Sequence, residues 1–447
     1  MTLSPDTDDD PHRRARPAGP LRALVRPVYV PSFVYAVGAG ALVPVQVLLA
    51  LRLGFDAAGV SAIMTWIGAF AIASSAAAGR IVEALGERRA VVVTTAAGAV
   101  GLLVAAASAW SRVDGARWVL VVALTLFDLV DAVWSIARQS LVTDLVPSAF
   151  RGRAMNLYGA CQRLGRAVGP AVASAVLLVT GPEAVLPLIV LIVGAATALL
   201  AGRVPVGRRP EVPAATPDRL GDDGARPSST SPSPAAAVRP WTPSDAPDPT
   251  TSAALTRGQV AALGAGVLVL AALRTSKESL LPLWAAQGAH LPDERVALLM
   301  TLASCAELVL FWPAGLALDR LGRGPVVACA MALMGVGTLL VPASASPAWL
   351  VVCVVLIGLG DGTGSGIIKT LGSDLAPTAG RSVFLGRWQA VASAGSLLAP
   401  ALASALIAVA SLPLAVAAVG ALGVAGAVWM AVWTPRVLPR SLTSAVR

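Results

Sequence analysis

Twelve charged side chains fall inside stretches otherwise apolar enough to lie in a membrane. Seven are basic, Arg138, Arg163, Arg166, Arg274, Lys277, Lys369 and Arg387, and five are acidic, Asp128, Asp131, Glu278, Glu307 and Asp361. A charge near the centre of a bilayer costs from about 2.5 to more than 10 kcal/mol by different measures, so it faces a cavity or a partner and is a candidate for function. Asp128 and Asp131, three residues apart, share one helix face near mid-membrane. Arg163 and Arg166 share a face one segment later and are candidates to pair with either acid or to touch substrate directly. The run Arg274-Thr275-Ser276-Lys277-Glu278 places three charges within five residues, just before Leu281-Pro282. Arg274 and Glu278, at i and i+4, either neutralise each other or handle substrate and protons. Lys277 then has no partner on its own helix and is left to bind an anionic group or an acid from another helix. Glu307 reads as a packing partner within the bundle. Arg138, Lys369 and Arg387 lie near segment ends, where long stems let the charge reach the interface.

Neither histidine, His12 or His290, falls in an apolar stretch, so carboxylates are the acidic proton carriers available there. Asp131, Asp361 and Glu278 are the candidate proton sites. Asp128, Arg274 and Lys277 are the candidate substrate contacts, with Tyr35 and Gln46 on the first apolar segment as further polar contacts. Cys161, Cys305, Cys329 and Cys353 each sit in an apolar run with no CxxC pair and no nearby histidine, the pattern of free buried thiols. No metal-ligand set is expected, and no nucleophile, base and orienting group occur together, so neither a cofactor nor an enzyme is expected. The glycines at 358, 360, 362, 364 and 366 lack the spacing, preceding strand and Lys-Ser/Thr ending of a phosphate-binding loop. They suit close helix packing or local flexibility.

The elements that must position these groups follow from composition. Of 447 residues, 56% are hydrophobic and 13% charged, with a mean hydropathy of +0.74. A soluble domain carries roughly 25% charged residues, so the chain reads as an all-α integral membrane protein. Segments of about 20 apolar residues, the length that spans a bilayer, recur at 30–51, 57–79, 90–110, 117–138, 154–180 and 184–202. A second set follows at 258–284, 295–317, 325–344, 348–370, 384–410 and 413–433. Twelve transmembrane helices in two six-helix bundles, 30–202 and 258–433, are therefore expected. The runs are continuous, without the alternation of a membrane β-barrel. Residues 1–29 read as a disordered cytoplasmic tail, 434–447 as a second tail, and 203–257, rich in Pro, Ser, Asp and Arg, as a flexible cytoplasmic linker.

The net charge of +9 carries a topological meaning. Of the 34 Lys and Arg, 23 fall in the tails, the linker and the loops on their side, against four, Arg52, Arg112, Arg117 and Arg295, in the opposite loops. Such asymmetry places both termini in the cytoplasm. It argues for a multi-pass protein of the cytoplasmic membrane in contact with lipid, and against a nucleic-acid surface. Trp110, Trp118, Trp284, Trp312, Trp349 and Trp433 lie near segment ends, as an interfacial aromatic belt would place them.

The two halves are repeats. At an offset of 230, residues 141–175 match 371–405 at 13 of 35 positions, including Asp144/Asp374, Pro147/Pro377, Arg151/Arg381, Gly165/Gly395 and Pro170/Pro400. Asp131/Asp361 and Ser135/Ser365 extend the match upstream. Gly79, Glu83 and Gly86 match Gly315, Asp319 and Gly322 at an offset of 236. Parallel six-helix repeats about an axis along the membrane normal follow. The loop Gly315-Leu-Ala-Leu-Asp319-Arg320-Leu-Gly322-Arg323 resembles the signature loop of the major facilitator superfamily. Its counterpart, Gly79-Arg-Ile-Val-Glu83-Ala84-Leu-Gly86-Glu87-Arg88-Arg89, departs from that pattern at Glu83, Ala84 and Glu87. The resemblance covers 30–433. It implies that helices 1, 4, 7 and 10 line a central cavity, and that Gly79, Glu83, Gly86, Gly315, Asp319, Arg320, Gly322 and Arg323 latch one state of an alternating-access cycle. The run Arg163-Leu-Gly165-Arg166-Ala-Val-Gly169-Pro170 partly resembles the fifth-helix motif of superfamily antiporters, with Ala173-Ser174 where that motif ends in glycines. Gly165 and Gly169 suit helix packing, and Pro170 permits a bend.

The leading expectation is a monomeric secondary transporter that exports a drug-like or metabolic compound by proton-coupled antiport. Proton-coupled uptake of an anionic nutrient is the second, favoured by the basic residues. A non-transporting membrane sensor or scaffold that uses the linker as a docking tail is the third.

Overall fold

The computed structural model describes residues 24–146, 148–202, 256–364, 366–377 and 381–438, and every regular element among them is helical. The first half comprises α1 (Val30–Arg52), α2 (Ala57–Leu85), α3 (Glu87–Trp110), α4 (Ala116–Leu145), α5 (Ser148–Leu177) and α6 (Pro182–Ala201). The second comprises α7 (Arg257–Gln287), α8 (Asp293–Leu321), α9 (Arg323–Leu340), α10 (Pro347–Thr363), α11 (Ile367–Leu375), α12 (Arg381–Val409) and α13 (Leu412–Val437). The tenth expected span is thus two helices. The glycine run breaks it: Gly364 ends α10, and Gly366, at φ 77°, opens α11 in a left-handed conformation that glycine adopts without strain. With α10 and α11 taken together, six spans stand in each half. A single π-helical turn, Val25–Tyr29, leads into α1, and α13 runs to Val437. Nearly all of the 203–257 segment lies outside the described residues, as does most of the 1–29 tail.

Among the described residues, ten helical stretches are long and apolar enough to cross a membrane by composition. Of the other long helices, α5 carries Arg163 and Arg166 within its span and α8 carries Glu307. These two helices pack on each other across the boundary between the halves, and α12 on α2 is the equivalent contact at the second half's side. Within each half the pairing also repeats: α5 packs on α1 as α12 packs on α7, and α2 on α4 as α8 on α10. Glycine makes the first of these possible. A Cβ on Gly165 would meet the carbonyl oxygen of Phe33 in α1, and one on the repeat-related Gly395 would meet that of Leu268 in α7.

The end of the bundle remote from the termini is tied between halves. Arg52, at the end of α1, lies 2.9 Å from Asp293 in the first turn of α8 and 3.4 Å from Glu183 of α6. Ser174 donates to the carbonyl of Glu294 at 2.8 Å and Ser404 to that of Ala58 at 3.1 Å. At the other end, the two turns of the expected latch are alike: Gly86 (φ 75°) and Gly322 (φ 84°) each end one helix and begin the next. Gly79 and Gly315 lie inside α2 and α8, so the sharp turns fall seven residues later than those glycines. Glu83 and Arg320 are exposed, while Arg323 lies 2.9 Å from Asp374 and ties the start of α9 to α11. The side chain of Asp319 is outside the described residues.

Candidate functional site

A cavity of about 610 Å³ lies between the halves, within the size range of small-molecule sites. Its wall takes Gly40 from α1, Arg163 and Arg166 from α5, Lys277 and Glu278 from α7, Glu307 and Phe311 from α8 and Asp361 from α10. It extends past Met155 and Asn156 of α5 and Ile368 and Lys369 of α11, toward the end that bears the termini.

One wall is a ladder of alternating charges. Lys277, 7% exposed, is held between two acids: Nζ is 2.8 Å from Glu307 Oε2 and also donates to Asp361 Oδ2. Arg274, one turn earlier on α7, has Nε 3.0 Å from the second oxygen of Asp361. Its Nη2 donates to the carbonyl of Gly364 at 2.7 Å, where α10 ends. Arg163, from the other half, donates to Glu307 Oε1 and lies 4.9 Å over the ring of Phe311. The order Arg163, Glu307, Lys277, Asp361, Arg274 runs through four helices, and each acid sits between two cations. Buried charges need such pairing to offset the loss of water. Local sequence permits it: Gly362 packs on the backbone carbonyl of Glu307, which brings α10 against α8 and sets Asp361 beside Glu307.

Of the two alternatives for Arg274 and Glu278, the intrahelical pair does not form, since Arg274 turns to α10 and leaves Glu278 facing the cavity with no ion pair among the described residues. Of the first-half acids, Asp131 lies 3.5 Å from Arg166 Nη2, a long contact between two partly exposed groups. Asp128 accepts from Ser74 of α2 at 2.8 Å. Tyr35 is 3% exposed, stacked on Trp134 with ring centroids 4.2 Å apart. Tyr35, Gln46, Asp128 and Asp131 are not among the residues that line the cavity. Gly169 lies on the α5 face toward α1, and Pro170 lines the cavity.

Two side chains differ from their sequence reading. Arg138 does not reach the interface: it is 1% exposed, donates to Ser32 and to the carbonyl of Val28, and lies 4.0 Å over the ring of Trp134. Glu307 is more than a packing residue, being the one acid among the described residues of the cavity that joins cations from both halves. Its repeat position at the 236 offset is Ala71, so self-comparison gave no hint of it. The available signal was the surplus cation Lys277, which demanded an acid from another helix. Trp110 and Trp118 are exposed, whereas Trp284 is buried.

The model of the Major Facilitator Superfamily matches residues 29–292 and 263–446, which together cover nearly the whole chain. No curated protein matches the sequence. Among solved structures, a POT family transporter in complex with a thioalcohol-conjugated peptide is similar with a TM-score of 0.66 at 12% identity, over 93% of this chain and 97% of that one. The peptide transporter POT in complex with sulfate gives a TM-score of 0.68 at 14% identity, over 93% and 98%. The nucleoside transporter NupG gives 0.62 at 12%, over 93% and 99%. At these identities the likeness is one of fold. The sequence match, the paired six-helix halves and the central cavity agree: the chain is a multi-pass membrane protein that belongs to the major facilitator superfamily of transporters.

Proposed function

We propose that this secondary transporter moves a small polar solute that bears an anionic group, and that it couples this movement to protons. The observation that carries the reading is the cavity wall, where Arg163, Arg166, Arg274, Lys277 and Lys369 stand against Glu278, Glu307 and Asp361. Five cations against three carboxylates leave the space ready for a negative charge, and the polar wall suits a hydrated solute better than a lipophilic one. Proton coupling rests on the ladder: a proton on Asp361 or Glu307 removes the charge that balances Lys277, so protonation and rupture of the pair are one event. Asp131, at its longer contact with Arg166, is a further proton site. The Lys and Arg asymmetry supports a cytoplasmic-membrane location with both termini inside. In that orientation the cavity extends toward the cytoplasm and the Arg52 contacts close the outer end. A monomer is the working unit of this reading.

A melting-temperature screen of the purified protein tests this. Small organic and amino acids are expected to stabilise it, and neutral sugars and lipophilic drugs to leave it unchanged. The second reading, proton antiport that exports a drug-like or metabolic compound, is favoured by the Gly165, Gly169 and Pro170 run of α5. It predicts the reverse outcome in the same screen.

A further inference from the structure

We propose that the substrate is zwitterionic, with its anionic end taken by Arg166 and its cationic end by Glu278. This rests on the anion reading above and adds the second pole. The cations of the ladder are already engaged: Lys277 by Glu307 and Asp361, Arg274 by Asp361 and the Gly364 carbonyl, Arg163 by Glu307. Two groups near them are left without a close internal partner. Arg166 has only the 3.5 Å contact to Asp131, with its side chain 48% exposed. Glu278 has no ion pair or hydrogen bond among the described residues and faces the same cavity. A carboxylate within the membrane span needs compensation. Its own helix does not supply it, because Arg274, the i−4 cation, is turned toward α10.

The two groups carry opposite charge and belong to opposite halves, Arg166 to α5 and Glu278 to α7. Both line the same cavity, and no ion pair joins them among the described residues. A ligand with a carboxylate at one end and an ammonium at the other satisfies both at once and bridges the halves. A simple anion satisfies Arg166 and leaves Glu278 uncompensated beside it. Around them Gln162, Thr275 and Ser304 supply neutral polar contacts for the atoms between the poles.

The test uses L-leucine and L-alanyl-L-alanine, each compared with its des-amino acid and its C-terminal amide, by melting temperature of the full-length protein and by counterflow in proteoliposomes. The zwitterions are expected to bind at least about tenfold more tightly than either truncated partner. Glu278→Gln is expected to weaken the zwitterions by about tenfold and leave the des-amino acids unchanged; Arg166→Gln weakens both. Wild-type protein that binds des-amino acids as well as zwitterions overturns the second pole and leaves the anion reading standing. Binding of the amides in preference to the acids, or no response to any compound, overturns the anion reading as well. The wild-type comparison decides the matter even if a variant fails to fold, and Glu278→Asp, which keeps the charge, is expected to retain the preference for an ammonium.

Discussion

Arg163 of α5 donates to Glu307 of α8 across the boundary between the two halves. The helices that carry this pair pack on each other along that boundary. The two charges are matched against each other in the wall of the cavity. A contact that joins the halves and also holds Lys277 links the site to the relative position of the bundles.

Loss of both members of the pair should cost less than the sum of the two single losses. Glu307→Ala leaves Arg163 and half of the Lys277 pairing uncompensated, and is expected to destabilise by roughly 3–5 kcal/mol. The double variant Arg163→Ala with Glu307→Ala should fall short of the summed single effects by about 1–3 kcal/mol. Chemical denaturation in detergent measures both, and strict additivity would contradict the pairing.

Arg274→Lys keeps the charge but not the fork. A lysine ammonium cannot hold Asp361 and the Gly364 carbonyl together as the guanidinium does. Transport is expected to fall by about tenfold or more with the fold retained, as judged by size-exclusion profile and melting temperature. Transport at the wild-type rate would show that the link between Asp361 and the α10 break is dispensable.

Close approach of α10 to α8 depends on Gly362. A Cβ there meets the carbonyl of Glu307, so Gly362→Ala should destabilise by about 1–3 kcal/mol. Gly194, within α6, has open space at the same position, and Gly194→Ala should be neutral or stabilise by about 0.5–1 kcal/mol. A melting comparison of the two variants checks the geometry of the ladder without reference to transport.

The Arg52 contacts close the far end but are half exposed, and such pairs contribute only about 0–1 kcal/mol. Arg52→Ala should leave the melting temperature nearly unchanged yet raise access to the cavity from that side by up to about fivefold. Labelling of a single cysteine introduced at Ala167, in a protein otherwise free of cysteine, reads this out with an impermeant thiol reagent.

Much of the fold was legible in sequence because the bilayer imposes one rule on every span, a continuous apolar run, and because Asp, Pro and Gly recur in register between the halves. The break between α10 and α11 was half legible: five glycines announced weak helix, but only the positive φ of Gly366 located the interruption. The site was less legible. Spacing along one helix suggested Arg274 with Glu278, yet tertiary contacts with α10 outweighed an i, i+4 pair worth a few tenths of a kcal/mol. Arg138 looked free to reach the interface by position alone, and its burial against Trp134 and the start of α1 is a property of packing that no local pattern encodes.

Proton coupling through the Lys277 ladder is tested most directly in proteoliposomes with an imposed proton gradient, using the compound that gives the largest melting shift. Wild-type protein should show solute-dependent proton flux. Asp361→Asn and Glu307→Gln should each lose that flux while solute exchange across the membrane persists. Normal proton flux in both variants would contradict the account.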